Sequence, residues 1–122
     1  MKIICVEDEK RTIKLINRLC KQLPQITEVV NFSKSLEALE YLKENSADIA
    51  LIDFDIPNMN AITLGEKMRE SEPLIPIVFL SDNPNYALDA FRIHANGFLL
   101  KPIEEERLME ELNYMISLKS NN

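Results

Sequence analysis

At 122 residues, 46% hydrophobic and 28% charged, the chain has the size and composition of one globular domain, long enough to bury roughly 65 to 70% of the surface its unfolded form exposes. A net charge of −6 argues against broad binding to nucleic acid or an anionic membrane. No run approaches the roughly 20 apolar residues of a membrane span, the opening MKIICVEDEK turns acidic too early for a secretion signal, and two glycines, Gly65 and Gly97, leave no Gly-rich phosphate loop.

In chain order, the run IICV at 3 to 6 predicts a buried strand that ends at Glu7 and Asp8. Ile13, Ile16, Leu19, Cys20 and Leu23 then recur at helical spacing. Asp8 or Glu9 suits the cap or first turn of that helix, a role compatible with binding a metal. TEVV at 27 to 30 reads as a weaker second strand, and Leu36, Leu39 and Leu42 as the stripe of a second helix. IALI at 49 to 52 is the third strand and runs into Asp53, after which Leu64 and Met68 mark a third helix. IVFL at 77 to 80 ends at Ser81, Ala87, Leu88 and Phe91 follow with helical spacing, and GFLL at 97 to 100 ends at Lys101. Leu108, Leu112, Met115 and Ile116 define the last helix, and the acid run EEER at 104 to 107 suits its first turn. Ser81 by itself suits a cap before the segment at Asn85, and Lys101 by itself a solvated surface position. Cys5 and Cys20 fall inside the apolar patterns with no C-x-x-C and no clustered histidine, so both are expected as reduced core thiols. His94, the only histidine, reads as a surface or helix-end residue.

Four of the five strands are too continuously apolar to be half exposed. Strands buried on both faces and separated by helices imply a parallel sheet between two helical layers, a three-layer α/β fold. One domain is expected over residues 1–122, with no output domain following in the chain. In such a sheet the carboxyl ends of the strands share one edge, where ligands bind. Glu7, Asp8, Asp53, Ser81 and Lys101 should therefore converge. Three carboxylates against one ammonium would repel or raise a carboxylate pKa, and a divalent cation would balance them. Oxygen ligands without histidine favour Mg²⁺ over zinc. A carboxylate beside Mg²⁺, an ammonium and a hydroxyl is arranged for phosphoryl transfer onto the carboxylate, with an aspartyl phosphate as product.

These residues make the chain resemble the receiver domain of two-component response regulators over nearly all its length. The resemblance rests on VEDE at 6 to 9, LIDFDIPNMN at 51 to 60 with Pro57 four places after Asp53, FLSD at 79 to 82, and FLLKP at 98 to 102. Each motif is weak alone, and four in this order at strand ends are specific. The segment NYALDAFRIHANGFLLKPI at 85 to 103 looks like receivers of LytTR-type regulators, whose output is a DNA-binding domain. The resemblance implies the flavodoxin-like receiver fold, a doubly wound five-stranded parallel sheet of order 2-1-3-4-5. It implies Asp53 as phosphoacceptor from a histidine kinase, and Mg²⁺ held by Glu7, Asp8, Asp53 and the backbone carbonyl of Asp55. Ser81 and Lys101 would contact the phosphoryl group, Phe98 would be the aromatic that follows Ser81, and the bond before Pro102 would be cis. Such a protein catalyses only its own phosphorylation and dephosphorylation. It would act in the cytoplasm on an output domain or partner that controls transcription, without touching nucleic acid itself, and the face made by residues 84–118 would form a homodimer.

Asn60 and Ala61 stand where the family often has Asp-Gly, Asp82 where a small residue usually follows the hydroxyl, and Asp55 adds an acid beside the site. Losing a glycine that tolerates positive φ leaves the loop after Asp53 free to run differently. Two other functions compete. DFDI also resembles the D-x-D of haloacid-dehalogenase-type phosphatases, with Asp53 as nucleophile and Asp55 as general acid, although that family carries the motif on its first strand. A receiver-like module that only binds partners is the third reading, and the complete set of five site residues argues against it.

Overall fold

The computed structural model describes residues 1–120, in which strands and helices alternate throughout. They are β1 (Lys2–Val6), α1 (Lys10–Cys20), β2 (Glu28–Phe32), α2 (Ser35–Leu42), β3 (Ile49–Asp53), α3 (Ala61–Ser71), β4 (Ile77–Ser81), α4 (Ala87–Arg92), β5 (Gly97–Leu100) and α5 (Glu105–Ser120). A 3-10 turn, Pro84–Tyr86, leads into α4. The strands form one parallel sheet of order β2-β1-β3-β4-β5, the order expected from the resemblance.

The three inner strands, β1, β3 and β4, are buried on both sides because they send alternate residues to opposite cores, while the edge strands β2 and β5 are half covered. Ile4, Val6, Ala50, Ile52 and Phe79 join Leu64 and Met68 of α3 and Ala90 of α4. Ile3, Cys5, Leu51, Val78, Leu80 and Leu99 join Ile16 and Leu19 of α1 and Leu108, Leu112 and Met115 of α5. Cys5 and Cys20 are buried free thiols, and burial pushes both thiol pKa values up.

Four expectations need correction. GFLL at 97 to 100 forms β5, but as an edge strand it is half exposed, with Leu100 48% exposed, because no further strand pairs with its outer side. The second strand starts at Glu28 and runs on to Phe32, because this edge strand is only half covered and polar Asn31 interrupts its apolar run. Leu36 is 54% exposed, since the buried stripe of α2 runs through Ser35, Ala38 and Leu42, one position away from it. Leu88 and Phe91 are 73% and 74% exposed, because α4 spans only six residues and buries Ala90 alone.

Past β3, Asn58 takes the left-handed backbone with φ 86°, and Asn60 caps α3, its Oδ1 accepting from the amides of Ile62 at 2.8 Å and Thr63 at 3.3 Å. At the opposite sheet edge the Arg69 guanidinium donates to the carbonyls of Ile93 and His94 and to Asn96 Oδ1, fastening the α4–β5 turn to α3. Asn96 Oδ1 also accepts from the Ile77 amide at 2.9 Å. His94 lies exposed in that turn with φ 57°. Among the described residues no helix is long and apolar enough to cross a membrane.

Candidate functional site

The carboxyl ends of β1, β3, β4 and β5 bring Glu7, Asp53, Ser81 and Lys101 to one edge. Glu7 is the first residue beyond β1 and its amide bonds Phe32 O at 2.9 Å, while the Lys101 amide bonds Ser81 O at 2.8 Å. Parallel pairing therefore positions the backbone under each functional side chain. Glu7, Asp53 and Ser81 are buried, and Asp8 is exposed at the rim.

Lys101 Nζ lies 3.1 Å from Asp53 Oδ2, 2.9 Å from Glu7 Oε1 and 3.8 Å from Glu9 Oε1. Burial alone would lower the lysine pKa, but its hydrogen bonds to Glu7 and Asp53 outweigh that, and the net direction is up. Burial, then the neighbouring Asp53 carboxyl, raises Glu7 to about 7 against the opposing pull of Lys101. Burial and the charges of Asp53 and Asp82 also raise Asp55. One ammonium does not neutralise this group of acids.

Glu7, Asp8 and Asp53 each offer an oxygen within 4.8 Å of the others, close to the roughly 4.2 Å that separates opposite ligands of one small octahedral cation. Glu7 Oε2 accepts from the amides of Asp8 at 3.0 Å and Glu9 at 3.1 Å and from Lys101 Nζ at 3.1 Å. Glu7 Oε1 is buried without an aligned hydrogen-bond donor and faces the Lys101 ammonium at 2.9 Å. Three close carboxylates, which a single ammonium leaves under-neutralised, are an all-oxygen donor set that fits a hard divalent cation.

Asp55 enters through its amide, which donates to Asp53 Oδ1 at 3.1 Å. Ser81 Oγ accepts from the Asn83 amide at 3.0 Å, and the cap of the 3-10 turn is Asn83, whose Oδ1 accepts from the Asn85 amide at 2.9 Å. Phe98 sits half-buried on β5, edge-on to Phe54 with ring centroids 6.0 Å apart. The Lys101–Pro102 peptide bond is cis. Glu9 occupies the cap position of α1 without capping it through its side chain, which instead accepts from the Thr12 hydroxyl and faces Lys101. That second role for Glu9, and the part of Asn83 in holding Ser81, escape a sequence reading. The spacing from Ser81 to Asn83 fits a turn in which a side-chain oxygen accepts from the amide two residues on, the one signal available for the latter.

The sequence matches the response regulator receiver domain family over residues 3–113. Sensory transduction protein LytT of Enterococcus faecalis is 29% identical over 110 residues, covering 90% of this chain and 46% of that protein. Transcriptional regulatory protein YpdB of Escherichia coli K12 is 31% identical over 108 residues, covering 88% and 44%. The chain thus spans less than half the length of these two relatives. The crystal structure of the response regulatory domain of MrkE from Klebsiella pneumoniae superposes with a TM-score of 0.92 at 27% identity, covering all of both chains. Asp53 and Asp55 lie at the third strand of this fold, not on a first strand, so the phosphatase reading loses its structural premise. Edge chemistry, strand order and family match agree: the chain belongs to the receiver domains of two-component response regulators.

Proposed function

We propose that residues 1–122 act as one cytoplasmic receiver unit that takes a phosphoryl group from a phosphohistidine of a histidine kinase onto Asp53. The observation that carries this is the Lys101 ammonium 3.1 Å from Asp53 Oδ2, beside a group in which Glu7, Asp8 and Asp53 bring their carboxylate oxygens within 4.8 Å of one another. An Asp53 oxygen bonds phosphorus as the phosphorus–nitrogen bond breaks, and the imidazole nitrogen leaves with the electron pair. Lys101 and the Ser81 hydroxyl hold the phosphoryl oxygens. Glu7, Asp8, Asp53 and the Asp55 carbonyl would hold Mg²⁺, which would supply positive charge for the transferring phosphoryl group.

The groove of about 770 Å³ beside Lys101, lined by Arg11, Lys14, Arg18 and Ile103 among others, gives an incoming kinase domain a surface next to the acceptor. Ser81, on bonding the phosphoryl group, moves toward Asp53 and leaves space that Phe98 fills, altering the face of residues 84–118. That face pairs with a second copy or an output domain controlling transcription, and the receiver itself contacts neither nucleic acid nor membrane. Beyond its own phosphorylation and dephosphorylation the domain turns over no substrate.

Acetyl phosphate with Mg²⁺ should add one phosphoryl mass to the wild-type chain and none to Asp53→Asn, and a chelator should abolish the addition. Equal labelling of both proteins in an intact-mass measurement would overturn the assignment. Turnover of a phosphate ester would favour a phosphatase instead.

A further inference from the structure

Phe54, directly after Asp53, is the centre of an aromatic cluster that the phosphoryl chemistry above does not use. Its ring stacks on Tyr86 with centroids 4.8 Å apart and planes 7° from parallel. It meets Phe79 edge-on at 4.9 Å and 60°, and Phe98 at 6.0 Å and 62°. Phe79 is fully buried in β4, and the Phe54 amide bonds Leu80 O at 2.9 Å, so one side of Phe54 rests on the rigid sheet. Its other side is Tyr86, the last residue of the 3-10 turn that leads into α4.

Within α4 only Ala90 is buried, while Leu88 and Phe91 project outward. At its amino-terminal end two contacts tie it to the site: the Asn83 amide on Ser81 Oγ, and Tyr86 on Phe54. Both begin at residues of, or next to, the phosphoacceptor centre.

We infer that the Phe54/Tyr86 stack is a positioning contact that sets the placement of α4 according to the state of Asp53, in parallel with Ser81 and Phe98. The inference rests on Asp53 as the phosphoacceptor. Phe54 lies between Asp53 and Asp55, which are joined by the hydrogen bond from the Asp55 amide to Asp53 Oδ1 at 3.1 Å. A phosphoryl group on Asp53 competes for that arrangement and tilts the residue between. Two nearly parallel rings have a preferred offset set by their charge distribution, so Tyr86 follows the tilt or the stack is lost. Pro84 fixes φ in the turn below Tyr86, which leaves α4 to take up the motion. An aliphatic side chain at position 86 would fill similar space yet slide over Phe54 without a preferred orientation.

The flat face, rather than bulk or the hydroxyl, is therefore the feature to vary. Amide NMR spectra of wild type, Tyr86→Phe and Tyr86→Leu are compared with and without beryllofluoride and Mg²⁺. All three should shift at residues 53–55. Shifts at residues 88–92 should keep wild-type size in Tyr86→Phe and fall at least threefold in Tyr86→Leu. Wild-type shifts at α4 in Tyr86→Leu overturn the inference, as does their loss in Tyr86→Phe. The wild-type protein tests it without any variant: Tyr86 ring resonances should move with the same beryllofluoride midpoint as the α4 amides, and rings that stay still while α4 shifts overturn it. Wild type that shows no shift at residues 53–55 sinks the phosphoacceptor reading itself, and this inference with it.

Discussion

The Glu111 carboxylate of α5 rests on the bare backbone of Gly97 in β5, where an added Cβ would stand 2.5 Å from Oε2 and 3.0 Å from Cδ. That oxygen is buried without a donor, and burial raises the Glu111 carboxyl above its ordinary range. The folded chain therefore holds this proton more tightly than the unfolded chain. The associated stability is fully present below the ordinary carboxylate range and is lost as pH rises through the folded value. Glu111→Gln should match wild type near pH 4 and exceed it at pH 7 by about 0.5 to 1 kcal/mol, a figure reduced for partial exposure. Gly97→Ala, whose methyl would push the carboxylate into water, should flatten the same pH dependence. Urea unfolding at the two pH values checks both. A Glu111→Gln gain that is equal at pH 4 and pH 7 would assign the effect to packing instead of charge.

Removing or adding Mg²⁺ should change stability as well as chemistry. A cation among Glu7, Asp8 and Asp53 would relieve repulsion that Lys101 only partly offsets, so it should bind the folded chain in preference to the unfolded one. At ten times its dissociation constant it should stabilise the fold by about 1.4 kcal/mol and raise the melting temperature by about 4–8 °C. Asp8→Asn, which removes an exposed ligand without touching the core, should lose most of this increment. Thermal melts with Mg²⁺, with a chelator and with Ca²⁺ as control measure it. A melting temperature that ignores Mg²⁺ would empty the proposed metal site.

Leu88 and Phe91 expose most of their apolar surface in a helix too short to bury it. Leu88→Asp and Phe91→Asp should therefore leave monomer stability within about 0.5 kcal/mol of wild type. If the 84–118 face pairs copies on activation, the same changes should prevent the doubling of mass that beryllofluoride causes in light scattering. A dimer that survives both substitutions would place the interface elsewhere.

Much of this molecule was legible before any coordinate. The runs at 3 to 6, 49 to 52 and 77 to 80 lie within β1, β3 and β4, because strands covered on both faces must be continuously apolar, whereas the run at 97 to 100 is the edge strand β5, equally apolar yet only half covered. The meeting of Glu7, Asp53, Ser81 and Lys101 followed from strand ends sharing one edge. Periodicity misread Leu36 by one position and took Leu88 and Phe91 for core, since spacing gives the side of a helix but not how far the helix extends. The stack of Phe54 on Tyr86 was invisible because it depends on two side-chain rotamers and on a turn between them. Glu9 looked like a cap because its distance to Lys101 exists only after folding.

Arg69 gives α4 a pivot. Its guanidinium grips the carbonyls of Ile93 and His94 and the Asn96 side chain, immediately past the carboxyl end of the helix. A short rod held at one end swings instead of sliding, and displacement grows with distance from the fixed point. Leu88, near the end that Tyr86 moves, would sweep a wider arc than Phe91, near the pivot. Fewer than two turns of helix thereby become an arm hinged at Arg69, so that a tilt delivered through Tyr86 displaces Leu88 most and Phe91 least, and the exposed apolar surface turns instead of shifting as a block.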